Sequence, residues 1–105
     1  MRLLKSHHFK YVFFKPFKLE ISEMIILGRL NSLQYSRLGL SISKKNIKHA
    51  YQRNYLKRLM REGFRLSQHK IIGIDFLIIA KKNAMRLNID LCKKMLEKVW
   101  CDYHQ

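Results

Sequence analysis

From about Asn46 to Leu66 the chain carries an apolar and a cationic periodicity at once, and a helix accommodates both. At about 100° per residue, Leu56, Leu59, Met60 and Gly63 gather on one arc. Lys57, Arg58, Arg61 and Arg65 gather on another, with Arg53 and Asn54 at its edges. The apolar arc needs a partner surface, and the flanking segments offer one. Segments 18–30 and 37–43 read as strands. In Leu38 to Ser43 apolar residues alternate, as in a half-buried strand. Asn31 to Ser36 is a polar turn between them. Ile74 to Lys81 is a compact apolar run after Gly73, the pattern of a central strand.

The two ends of the chain add helices. Ser6 is placed to cap a short first helix with Phe9, Val12 and Phe13 on one side, and Pro16 to end it. Asn88 is placed to cap a last helix in which Ile89, Cys92, Leu96, Val99, Trp100 and Tyr103 recur at helical spacing. Trp100 and Phe64 are assigned to the core. The order is helix, strands, helix, strand, helix, which predicts an α+β sandwich with helices packed on a sheet. Without repeats or a linker, and with 105 residues, the expectation is a single domain over 1–105.

Charge narrows the partners. Lys and Arg number 22 against 7 Asp and Glu, a net charge of +15. Between Lys44 and Arg65 stand eight basic residues and one acidic residue, Glu62. Solubility alone does not require a single sign, since mixed charges also support a helix through ion pairs. The ordinary alternative is a solvated charged face. The imbalance and the Lys44–Lys45 pair favour a polyanion, with nucleic acid first and an anionic membrane surface second. Arg offers phosphate a two-pronged planar donor, and Asn54 could add a hydrogen bond to a sugar or base edge. No apolar run approaches the roughly 20 residues of a membrane span. The N-terminus lacks a signal-peptide pattern, so the expected location is cytoplasmic. Cys92 and Cys101, nine apart, are expected to be free buried thiols.

The stretch Arg37-Leu38-Gly39-Leu40-Ser41-Ile42-Ser43-Lys44-Lys45 is followed by Ala50-Tyr51-Gln52-Arg53-Asn54-Tyr55-Leu56-Lys57-Arg58-Leu59-Met60-Arg61-Glu62-Gly63-Phe64-Arg65. Together they resemble the bacterial ribonuclease P protein family. The similarity extends through Gly73-Ile74-Asp75 and Ile78-Ile79-Ala80-Lys81, and Leu4, Phe9, Val12 and Phe13 fit that family's first helix. The resemblance implies the order αβββαβα with a four-stranded sheet. It also implies a left-handed βαβ crossover through the basic helix, contrary to the usual hand. It implies an RNA-binding subunit of a tRNA-processing endonuclease whose active site lies in a catalytic RNA. The protein would pair 1:1 with that RNA, need no protein partner, and help remove the 5′ leader of precursor tRNA. Carried over, Lys44, Lys45, Arg53, Asn54, Lys57, Arg58, Arg61 and Arg65 form the RNA-facing set. Phe9, Phe13 and Leu27 belong to a cleft for the single-stranded leader.

Two positions depart from the family's pattern. Tyr55 stands where the resemblance leads one to expect an arginine; a phenol can stack or hydrogen-bond but brings no charge. Leu27 stands where an aromatic is common, which could shift leader contacts to Phe13 and Tyr35. The spacing of Phe9 and Phe13 puts them on one helix face. That suits either a core stripe or a stacking surface for single-stranded RNA.

The residues offer no catalytic constellation of their own. Glu20, Glu23, Glu62, Asp75, Asp90, Glu97 and Asp102 are scattered, and no phosphate-binding glycine loop or nucleophile motif is present. His7 and His8 are adjacent and diverge on a helix, so a metal site is not expected. His49 beside the basic helix could assist phosphate binding. No cofactor is expected in the protein, and Mg2+ is expected with the RNA. A purely structural RNA-binding protein is the alternative, separated from the first reading by whether it stimulates leader cleavage. A peripheral membrane protein is disfavoured because the helix's apolar face has a sheet to cover.

Overall fold

The computed structural model describes residues 3–5, 9–13 and 16–104, with Lys10 described by its backbone alone. Its elements are α1 (Phe9–Phe13), β1 (Phe17–Glu20), β2 (Met24–Leu30), β3 (Arg37–Ser41), α2 (Ala50–Ser67), β4 (Ile74–Ala80) and α3 (Ile89–Tyr103). A short 3-10 turn, Ala84–Arg86, precedes α3. This is the expected αβββαβα order. The expected segment 18–30 is two strands, because a turn over residues 21–23 folds β1 back antiparallel on β2. The capping position Ser6 and the pair His7–His8 lie outside the described residues.

The sheet order is β1-β2-β4-β3. β4 pairs antiparallel with β2 and parallel with β3, so α2 connects two neighbouring parallel strands. A strand between two others and covered on both faces cannot alternate polar with apolar residues. β4 is accordingly buried along almost its whole length. Ile74, Phe76, Ile78 and Ala80 join the large core with Met24, Ile26 and Leu38 and with Leu56, Met60 and Phe64 of α2 and Cys92, Leu96 and Val99 of α3. Phe64 meets Phe76 edge-on at 6.4 Å between centroids, a geometry worth about 1 kcal/mol beyond area burial. Leu77 points the other way. With Leu4, Val12 and Leu27, and with Phe9, Ile25 and Ile79 packed against them, it forms a second, smaller core under α1.

Local chemistry sets the element ends. Asn88 caps α3 as expected, its side-chain oxygen accepting from the Leu91 N–H at 2.8 Å. α2 begins at Ala50 rather than near Asn46, because residues 43–47 close their own turn. The Asn46 and Ile47 N–H groups donate to the Ser43 hydroxyl and carbonyl, and the Asn46 side chain donates to the Ala80 carbonyl at 3.1 Å. The same turn ends β3 at Ser41, short of the expected 43.

Two sequence expectations about the core need correction. Cys92 is buried but Cys101 is exposed. Nine residues are two and a half helical turns, so the two thiols leave α3 on opposite sides. Trp100 only flanks the core, half-buried, with its indole N–H donating to the Ile72 carbonyl at 3.0 Å. Leu27 lies at the bottom of the α1 core and is 5% exposed.

Candidate nucleic-acid interface

α2 shows to solvent what its sequence period requires. Leu56, Leu59, Met60, Gly63, Phe64 and Ser67 are buried, while Asn54, Tyr55, Arg58, Arg61 and Arg65 are exposed and Arg53 and Lys57 half-buried. Gly63 permits this seating: a Cβ there would lie 3.0 Å from both the Cβ and Sγ of Cys92 in α3. Among the described residues, Arg58 and Arg61 have neither hydrogen-bond nor ion-pair partner. Arg65 differs. Its guanidinium grips Glu62 one turn back, with Nε donating to Oε2 at 3.0 Å and a second bond to Oε1. The hydrogen-bonded Arg65 holds the Glu62 carboxyl below its usual range, and Glu62 in turn raises Arg65. Part of the Arg65 charge is therefore already answered within the chain.

The predicted basic residues separate into two groups by what they touch. Arg53 donates from one guanidinium nitrogen to the Ile47 and Lys48 carbonyls, both at 2.9 Å. It fastens the loop after β3 to the helix, and buried Ile47 fixes that loop from below. Lys44 and Lys45 stand exposed on the turn so held. No acidic residue occupies the first turn of α2, and His49 at its N-cap makes no side-chain cap bond. The positive end of the helix dipole thus adds to the neighbouring lysines.

On the opposite face, α1 lies across β2 and β4. Phe9 is half-buried against the small core. Its ring fills space above Gly39, where a Cβ would come within 2.9 Å of the Phe9 Cε1. Phe13 is 52% exposed at the end of the helix. The Tyr11 hydroxyl donates to the Leu30 carbonyl at 2.8 Å, and the Arg29 guanidinium lies 4.3 Å from the centre of the Tyr11 ring. These contacts tie α1 to the end of β2. Beside them Asp75, fully buried, accepts from Arg37 at 2.8 and 2.6 Å and from Asn31 at 2.9 Å. Phe9 and Leu27 therefore share one cluster, whereas Phe13 stands at its margin; Tyr35 is exposed in the β2–β3 turn.

The sequence matches the Ribonuclease P family over residues 1–104. The chain belongs to the ribonuclease P protein family. It is 53% identical over 104 residues to the ribonuclease P protein component of Buchnera aphidicola subsp. Schizaphis graminum, covering 99% of this chain and 91% of that one. It is 50% identical over 105 residues to that of Baumannia cicadellinicola, covering 100% and 91%. Among solved structures, the RNase P protein of Staphylococcus aureus superposes with a TM-score of 0.79 at 27% identity, covering 97% of this chain and 94% of that one. The Thermotoga maritima RNase P protein gives 0.78 at 29% identity, covering 93% and 96%.

The acidic groups of this ribonuclease P protein are largely occupied with its own cations. Glu20 pairs with Lys81 and Lys18, Glu62 with Arg65, Asp75 with Arg37, Glu97 with Lys70 and Asp102 with Lys98. Among the described residues no three His, Cys, Asp or Glu side chains gather so as to hold a metal ion. Nor is any helix of the described residues long and apolar enough to cross a membrane.

One residue escaped the sequence reading. Tyr51, 71% exposed, precedes Tyr55 by one turn on the outer face of α2. The four-residue spacing of Tyr51 and Tyr55 is the signal in the sequence that marks this face.

Proposed function

We propose that this chain, as the RNA-binding subunit of ribonuclease P, binds the catalytic RNA chiefly through α2 and the loop before it. Arg58 and Arg61 supply the principal phosphate contacts, with Lys44, Lys45, Lys57 and Asn54 beside them. Arg53 acts mainly by holding the Lys44–His49 loop in place, and Arg65 contributes less because Glu62 competes for it. The single observation that carries this reading is the pair of unpartnered guanidinium groups on one exposed face of a helix whose other face is locked in the core.

On the far side of the sheet, the 5′ leader of precursor tRNA would run along α1. Phe13 offers an exposed ring, Phe9 a half-buried one, and Leu27 the packing beneath them. The two surfaces lie on opposite faces of the sheet, so one small protein can touch the RNA subunit and the substrate at once. The reading takes one protein per RNA, in the bacterial cytoplasm, with Mg2+ held by the RNA. The protein's part is to bind and position, and to neutralise phosphate charge as the substrate docks.

The experiment is a salt titration of binding to ribonuclease P RNA. For the R58A/R61A variant the slope of log K against log salt should shrink by about two, one unit for each lost phosphate contact. Circular dichroism should be unchanged, since both side chains are exposed. An unaltered slope in a folded variant would remove α2 from the interface.

A further inference from the structure

The outer face of α2 also carries aromatic rings that the cationic reading does not use. At about 100° per residue, Tyr51, Tyr55, Arg58 and Glu62 fall within one narrow stripe. Tyr51 is 71% and Tyr55 46% exposed. The His49 ring stacks on Tyr51 at 5.5 Å between centroids and 20° between planes. One side of Tyr51 is thereby supported and the ring is held as a platform. Following the stripe down the helix, Tyr55 forms the wall of a groove of about 700 Å³ between α2 and the start of α3. Leu59 and Ile89 provide apolar surface there, Arg58 stands at one side, and Glu62 and Asp90 add carboxylates.

The chemistry of this groove selects its occupant. Glu62 is held by Arg65, so it is the Asp90 carboxylate that repels a phosphate, while Arg58 at the groove's side and Arg61 beyond it attract one. A carboxylate accepts N–H donors, which nucleobases present on their edges. An aromatic wall and an apolar floor suit a base face. The arrangement therefore fits a nucleotide whose phosphate sits on Arg58 and Arg61 and whose base turns inward beside Tyr55. Among the described residues Asp90 has no side-chain partner, so its oxygens remain available to such a base.

We propose that the aromatic edge of α2, Tyr51 and Tyr55 leading into the α2–α3 groove, is a stacking site for unpaired bases of the RNA subunit. The proposal rests on the reading that this helix faces that RNA. Tyr55 then compensates for the arginine expected at its position by a different interaction. A cation there would add a salt-dependent contact, whereas a stacked phenol adds one that hardly responds to salt.

The test compares Y51A/Y55A, Y51F/Y55F and wild type in binding ribonuclease P RNA across a range of KCl concentrations. The reduced salt slope of R58A/R61A establishes the RNA-facing reading by itself, and an unaltered slope in that variant would overturn both that reading and this one. Given wild-type binding, Y51A/Y55A should weaken affinity about tenfold per stacked ring with the salt slope unchanged. Y51F/Y55F, which keeps both faces, should stay within about twofold. Chemical probing should show unpaired bases that wild type protects and the alanine variant leaves reactive. Wild-type affinity in the alanine variant, or equal loss in the phenylalanine variant, would overturn the stacking site. So would a wild-type self-association that the alanine variant abolishes, since the rings would then serve a second copy of the chain.

Discussion

Asp75 is a carboxylate with no exposure, placed on the central strand, and its surroundings explain how it is tolerated. A buried charge is costly unless paired and hydrogen-bonded. Arg37 supplies a two-pronged partner from the neighbouring parallel strand, and Asn31 supplies a third donor from the turn after β2. Asp75 also raises Arg37, mainly through that hydrogen bond. The D75N variant keeps the shape but loses the pair, and should lower unfolding free energy by about 3 kcal/mol in urea titrations. The sequence placed Asp75 within a strand but could not show its partners, which are 38 and 44 residues distant. The cysteines give a second check. Burial pushes the Cys92 thiol up to about 12, whereas an unfolded thiol ionises near 8.5. The unfolded chain therefore loses this proton first. The contribution of Cys92 to stability is intact below about pH 8.5 and declines as pH rises toward about 12. At pH 8 iodoacetamide should modify Cys101 in the folded protein and Cys92 only after denaturant is added, as mass spectrometry of digests would show.

At the scale of elements, helices were the most legible. α2 and α3 declare themselves by period and α3 by its Asn88 cap, and both lie within a few residues of their expected spans. Strand edges were less so, because a tight turn over residues 21–23 carries no glycine or proline to mark it. The basic arc was legible from charge alone. What could not be read was which cations are already committed, since Arg53 answers backbone carbonyls and Arg65 answers Glu62 only once the chain is folded. The seat of α1 on the sheet was equally hidden. It depends on Gly39, whose missing side chain leaves room for Phe9. G39V should therefore displace the Phe9 ring, cost about 1–3 kcal/mol by overpacking, and speed hydrogen exchange in α1 while leaving α2 protected. Unchanged exchange in α1 would mean that Phe9 does not anchor it.

For the whole molecule, the arrangement separates two surfaces across one sheet, and the proposed function gives each its own task. The large core fixes α2 and α3 on one face, so the cationic helix is presented by a rigid support. The small core fixes α1 on the other, with fewer buried side chains to hold it. A net charge of +15 on a chain of 105 residues drives association with RNA, and ion pairs within the chain remove most of the carboxylates that would oppose it. That division predicts that α2 substitutions weaken RNA-subunit binding, while α1 substitutions act only when a leader is present. The most direct measurement is cleavage of precursor tRNA by ribonuclease P RNA at low Mg2+, with and without this protein, using substrates with and without a 5′ extension. The account predicts faster cleavage at the mature 5′ end when the protein is added, with tighter binding of the leader-bearing substrate that F13A diminishes. RNA binding without any stimulation of cleavage, or equal substrate affinity with and without the leader, would contradict it.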